Sequence, residues 1–199
     1  MREDLRIIAD LVAPGARVLD LGCGHGELLA YLQGHKDVVG YGLDNGAEEI
    51  AACIRTGVNV IEQDLDEGLT RFPDASFDLV VMANTLQAVQ APDRLLDEML
   101  RVGRECIVTF PNFGHWTCRL QLATRGRMPV ARHLPYTWYA TPNIHLCTFA
   151  DFETLCRDSD LTITERFVCD RAYRHGRLIN RFPNLFGTTA FYRLRRGSG

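Results

Sequence analysis

The sequence has no apolar run near the ~18–20 residues that a membrane-spanning helix needs. Its first residues, Met1-Arg2-Glu3-Asp4-Leu5, carry no apolar signal segment. A cytoplasmic protein without membrane contact is expected. There is no C-x-x-C pair. The seven cysteines, Cys23, Cys53, Cys106, Cys118, Cys147, Cys156 and Cys169, are scattered and odd in number. The spacing of a zinc site is therefore missing, and no metal is expected. Buried free thiols in a reducing compartment are the plain reading. There is no basic excess either: 22 Lys+Arg against 25 Asp+Glu leave a formal net charge of -3, which argues against a binder of bulk DNA or RNA. The Walker pattern G-x-x-x-x-G-K-[ST] is absent, as are internal repeats and low-complexity tracts. The closing Gly197-Ser198-Gly199 reads either as a frayed native end or as the remnant of an appended tag.

What is present is ordinary in bulk. At ~100–200 residues per domain, the 199 residues fit one domain, and 46% hydrophobic with 24% charged residues is usual for a globular chain. Leu5, Ile8, Ala9 and Val12 share one helical face. Pro14-Gly15 stops that helix. Strands are expected at 18–21, 38–43, 58–61, 77–82 and 106–110. Helices are expected from Leu28 to Leu32, from Ala47 to Arg55 and after Pro92, where Leu95, Leu96, Met99 and Leu100 make the buried stripe. Strands alternating with helices imply an α/β fold with a mostly parallel sheet and helices on both faces. The apolar run Phe77 to Met82 suits a strand covered on both sides. A helix from Phe149 to Asp158 and strands at 161–168 and 190–194 follow, the last two as an antiparallel pair at one edge.

The informative stretch is Asp20-Leu21-Gly22-Cys23-Gly24-His25-Gly26-Glu27, which leaves a strand and enters a helix. Glycines there let a ligand lie against bare backbone, and the helix start supplies free N–H groups. Such a loop suits several nucleotide cofactors, and three details narrow the choice. The spacing is G-x-G-x-G, and Glu27 stands where the dinucleotide fingerprint needs Gly or Ala. Asp20 precedes the first glycine; a carboxylate there repels a pyrophosphate and attracts a cation. Asp44 ends the second strand, where a carboxylate accepts ribose hydroxyls, and Asp64 follows the third strand. A strand-turn-helix without a ligand is the bland alternative. Cys23 and His25 fill the loop without a catalytic role.

At these residues, from Met1 to about Phe110 and again in the late strands, the chain resembles the class I methyltransferases that use S-adenosylmethionine (SAM). The resemblance implies a Rossmann-like sheet with an antiparallel edge and a site for SAM or S-adenosylhomocysteine. It places Gly22, Gly24 and Gly26 at the cofactor's amino-acid part, Asp44 at the ribose, and Ala83, Asn84 and Leu86 on its other side. The implied cofactor set is Asp20, Gly22, Cys23, Gly24, Gly26, Asp44, Asn45, Asp64, Leu65, Ala83 and Asn84.

Residues 111–149 form a basic and aromatic insertion within that one domain. They hold Arg119, Arg125, Arg127 and Arg132, the histidines 115, 133 and 145, both tryptophans, and no Asp or Glu. A lid, a substrate-binding insertion and a partner surface are all open. A second acid-free stretch, 171–187, adds Arg171, Arg174, Arg177, Arg181 and His175. The motifs PNFGHW (111–116), RGRMP (125–129), LPYTWY (134–139), TPNIH (141–145) and TLQA (85–88) are similar to those of the MetW family. That resemblance implies a role in methionine biosynthesis beside a MetX-type homoserine O-acyltransferase.

No catalytic residue stands out. His115, His145, Tyr136 and Tyr139 are the available bases, and none pairs with a carboxylate in the sequence. Two functions follow: a SAM-binding accessory subunit of an acyltransferase, or a methyltransferase acting on a small molecule. RNA methylation fits less well with the acidic balance.

Overall fold

The computed structural model describes residues 1–169 and 177–197. Arg171, Arg174, His175, Ser198 and Gly199, and the side chain of Arg177, lie outside the described residues.

The expected alternation of strands and helices is realised. Helix α1 (Glu3–Leu11) leads into β1 (Arg17–Leu21), α2 (Glu27–Lys36), β2 (Val39–Asp44), α3 (Ala47–Arg55) and β3 (Val60–Glu62). The chain then crosses to β4 (Phe77–Ala83), α4 (Pro92–Val102) and β5 (Gly103–Pro111). Strands β1 to β5 are mutually parallel. After α5 (Trp116–Arg125) and α6 (Phe149–Asp158) come β6 (Leu161–Cys169), the short helices α7 (Arg177–Arg181) and α8 (Pro183–Phe186), and β7 (Thr189–Arg196). The sheet order is β3-β2-β1-β4-β5-β7-β6. Strand β7 pairs antiparallel with both β5 and β6, so the antiparallel edge is the expected one, with the last strand inserted inside it.

The sheet is covered on both faces, and alternation along β4 shows how. Leu79 and Val81 point to the face packed by α1, α2 and α3, where Ile8, Leu28, Leu29 and Cys53 are buried. Val80 and Met82 point to the opposite face, against Leu95, Leu96 and Met99 of α4 and Phe149 and Phe152 of α6. Residue period two in the strand thus feeds two separate cores. Four of the seven cysteines are buried in these two cores, Cys118 is buried on α5, and none is disulfide-bonded. The chain has a single lysine, Lys36. Its ammonium donates to the carbonyls of Ala9 and Val12 at 2.6 and 2.7 Å. A cation thus satisfies carbonyls at and just beyond the end of α1.

Two local departures from the sequence reading have physical causes. β3 begins at Val60, because the amide of Val58 first donates to the Cys53 carbonyl at 2.9 Å and closes α3. Within residues 111–149 lies a helix, α5, that apolar periodicity does not announce, since only Cys118 of its side chains is buried. Its start is marked instead by His115, whose ring accepts from the Thr117 amide, and its end by Gly126 in the left-handed region.

One ion cluster pins the antiparallel junction. Glu105 on β5 is buried, and both carboxylate oxygens accept from β7: Oε2 from Arg193 Nε at 2.6 Å, Oε1 from Arg195. Removing the carboxylate strands two guanidinium groups, of which Arg195 is largely exposed and Arg193 only a quarter exposed. Glu105→Ala is expected to lower stability by about 2–3 kcal/mol, near the lower end for a broken buried pair. Urea denaturation checks this, with the midpoint falling and the slope unchanged.

Candidate functional site

The strand order reverses between β1 and β4, and open parallel sheets bind ligands in the crevice at such a point. Here the crevice is a cleft of about 490 Å³ at the carboxyl ends of β1, β2 and β3. One wall is the glycine loop. Gly22, Gly24 and Gly26 all have positive φ, between 55° and 75°. At Gly22 a Cβ would lie 2.6 Å from the Thr85 hydroxyl, so the loop and the segment after β4 touch only because that side chain is missing. At Gly24 the same position faces open space.

Asp44 organises the loop. One carboxylate oxygen accepts from the Gly24 amide at 2.8 Å and the other from the Gly46 amide at 3.0 Å. Each oxygen keeps a lone pair for a ligand donor. The floor is Gln63, whose side-chain carbonyl is buried without a partner. Asp64 accepts from the Asp66 amide and starts a short 3-10 turn, Leu65–Glu67. Thr85, Ala88 and Val89 close the other side. Asp44, Glu49, Asp64 and Asp66 line the cleft, and among the described residues no Lys or Arg does.

A recess of about 110 Å³ opens from the same loop and holds Asp20, Cys23, Ala83 and Arg2. Asp20 is 3% exposed. Burial above all pushes its carboxyl up to about 7, with Arg2 opposing the shift and Asp44 adding to it. Burial and the neighbouring carboxylates also hold the Cys23 thiol protonated, so it is no nucleophile in this state.

The structure therefore brings Gly22, Gly24, Asp44, Asn45, Asp64 and Leu65 into the cleft and Asp20, Cys23 and Ala83 into the recess. Gly26 sits behind the loop, where a Cβ would meet Cys53 Sγ at 2.9 Å. Asn84 turns to a third pocket, its amide donating to Asp4 at 2.9 Å. Leu86 is buried in the core. Sequence reasoning missed Gln63, Glu49, Thr85 and Arg2. Adjacency to Asp64 could have flagged Gln63, whereas nothing in the sequence links Arg2 to a loop twenty residues on.

Among the candidate bases, His115 is buried against Thr117 and His133. His145 meets the Gln90 carbonyl through Nε2. Tyr139 is exposed beside Trp138, and Tyr136 borders the third pocket. The segment carrying them is tied to the cleft. The Gln87 carbonyl, between cleft residues Thr85 and Ala88, accepts from the amides of Ile144 and His145 at 2.9 and 3.0 Å.

Sheet order, glycine loop and acidic strand end together define a Rossmann-like fold of the class I SAM-dependent methyltransferase type. A SAM-dependent methyltransferase from Mesorhizobium loti superposes with a TM-score of 0.70, over 96% of either chain at 19% identity, a likeness of fold alone. Residues 2–194 match the family described as methionine biosynthesis protein MetW, and the chain belongs to the MetW family. It is 36% identical to a bifunctional methionine biosynthesis protein MetXA/MetW of Rhodopirellula baltica, over 98% of this chain and 33% of that one. It is 32% identical to the mitochondrial arginine-hydroxylase NDUFAF5 of Rattus norvegicus, over 77% of this chain and 48% of that one. The chain thus spans about a third and about half of these two relatives. Among the described residues no helix is long and apolar enough to cross a membrane.

The raised pKa of Asp20 has a consequence for stability. The folded protein keeps a proton that the unfolded chain releases near 3.8. Stability from this group is therefore present at low pH and lost as pH rises from about 4 to about 7. Asp20→Asn removes the buried charge. It is expected to be more stable than the parent at pH 8 by roughly 4 kcal/mol, from a pKa raised by about 3 at ~1.4 kcal/mol per pKa unit. At pH 4 the two should be nearly equal. Denaturation at both pH values measures it, and equal differences at both would contradict the assignment.

Proposed function

We propose that this protein binds SAM, or S-adenosylhomocysteine, in the acidic cleft and serves methionine biosynthesis as an accessory subunit of a MetX-type homoserine O-acyltransferase. The charge of the site carries the ligand reading. Four carboxylates and, among the described residues, no cation line the cleft, and the buried Asp20 carboxyl lines the recess. A pyrophosphate would meet repulsion there. SAM carries no phosphate, and its ammonium and sulfonium are cations. The residues fit its parts: Asp44 has lone pairs for the ribose hydroxyls, and the unpartnered Gln63 carbonyl, with Asp64 and Leu65, suits the adenine amine. Asp20, with Cys23 and Ala83 around it, suits the ammonium. Asn45 borders the ribose side, Gly26 supports the loop from behind, and Asn84 acts from the adjoining pocket. Bound SAM supplies an electrophilic methyl group, and no side chain here is assigned to a transfer step.

The partner reading rests on two observations. The Rhodopirellula relative carries MetXA and MetW names in one polypeptide, and this chain matches a third of it. Fusion is one way to hold two cooperating units at high effective concentration. The second is the exposed face of residues 116–146. Trp138 and Tyr139 are 73% and 74% exposed, and Trp116, Leu120, Met128 and Val130 are more than 40% exposed. With four arginines and no acid, this face suits an acidic partner, and Trp, Tyr and Arg dominate interface energetics. The Gln87 bonds join that face to the cleft wall. A ligand favouring one arrangement of the wall would thereby bias the face.

Calorimetry tests the ligand. Asp44→Ala is expected to weaken SAM binding by ~1–3 kcal/mol, the scale of a lost buried acceptor. Unchanged affinity, or a preference for NAD, would sink this reading. Co-elution and acyl transfer to homoserine, with and without the chain and across a SAM titration, test the partner. A stable complex with altered activity is expected, with Trp138→Ala weakening it roughly tenfold or more. Separate elution with unchanged acyl transfer would leave small-molecule methyl transfer as the better account.

A further inference from the structure

The third pocket, about 620 Å³, lies beyond the cofactor cleft at the ends of β4, β5 and β7. Such a volume is ordinary for a small-molecule site. Its lining includes Arg2, Glu3 and Asp4 from the N-terminus and Arg132, His133 and Tyr136 from the basic segment. Arg2 also lines the Asp20 recess, so the third pocket and the recess adjoin.

The charges of this pocket separate into two sets. Asp4 is 3% exposed and saturated: Arg2 donates to both its oxygens, and Asn84 Nδ2 donates to Oδ2. Asn84 achieves this with a φ of 61°, a left-handed conformation that a non-glycine residue adopts at some cost. Asp4, Arg2 and Asn84 thus satisfy one another. The remaining formal charges on its lining are Glu3 and Arg132, both exposed, and neither makes an ion pair among the described residues. Asn143 and Thr189 add polar side chains to the same lining.

We infer that this pocket takes a small molecule bearing a zwitterionic α-amino-acid group, its carboxylate on Arg132 and its ammonium on Glu3. A fork of guanidinium donors matches a carboxylate. The Glu3 carboxylate matches an ammonium, and the polar side chains of Asn143 and Thr189 suit a short hydroxylated side chain. A ligand with only one of the two charges would leave one of the two side chains unmatched. This rests on the proposed function only for the choice of probe.

L-Homoserine is that probe, beside 4-hydroxybutanoate, which lacks the ammonium, and 3-aminopropan-1-ol, which lacks the carboxylate. Calorimetric titration of the whole chain is run with and without excess S-adenosylhomocysteine. Saturable homoserine binding is expected in both conditions, with either analogue roughly tenfold weaker or more, the scale of one lost charge-assisted bond. Arg132→Gln and Glu3→Gln should each weaken homoserine to a similar extent. Arg125→Gln, exposed at the end of α5, should not. Three results would each overturn the inference: no saturable binding, equal binding of an analogue, or displacement of homoserine by S-adenosylhomocysteine, which would put the amino acid in the cleft. Failure of S-adenosylhomocysteine itself to bind would count against the cofactor reading alone, because the analogue series and the Arg132 variant stand without it.

Discussion

Two backbone amides, those of Gly24 and Gly46, converge on the carboxylate of Asp44, and the site depends on that convergence. The first amide belongs to the loop that leaves β1, the second to the entry of α3. One side chain at the end of β2 therefore bridges the glycine loop and the entry of α3. The glycine loop is further tied down by its own amides, since Gly22 and Cys23 both donate to the Leu43 carbonyl. A loop of three glycines would be entropically expensive to order. Here its order is imposed by a neighbouring strand end, so the cleft is shaped before any ligand arrives.

Around that clamp the electrostatics favour function over stability. Acidic groups are gathered at one end of the sheet, and one of them, Asp20, is buried where its charge is poorly compensated. Proteins commonly retain such arrangements at binding sites, because a group unsatisfied in the free state is available to a ligand. Elsewhere the same fold treats charge conservatively. Glu105 is buried with two guanidinium partners, and Lys36 is spent on helix carbonyls. The contrast separates the carboxylates that hold the fold from those that face the cleft.

Much of this was legible in the sequence, for local reasons. The strand and helix alternation follows from apolar periodicity, and α3 and α6 fall where the periodicity places them. The glycine spacing and the carboxylates at 20, 44 and 64 lie within a few residues of strand ends, so their convergence follows from parallel strands sharing one direction. What was not legible is tertiary. Helix α5 buries almost none of its side chains, so no apolar stripe betrays it. Arg2 reaches the recess only because α1 packs beside α2, and Asn84 turns from the cleft to donate to Asp4. Glycine 26, read as a ligand contact, has a backbone geometry and a packing partner that only the fold reveals.

The Gln87 carbonyl accepts from two successive amides of the basic segment, those of Ile144 and His145. Three further bonds reinforce it: Gln87 Nε2 donates to the Pro111 carbonyl and to Cys147 Sγ, and His145 meets Gln90. Residues 85–90 and 143–147 therefore cannot open separately, and they form one cooperative unit in the sense of local unfolding. Amide protons on either side would exchange through a shared opening event. Whatever shifts the cost of that opening, from the cleft or from the outer face, sets the exchange rate of both.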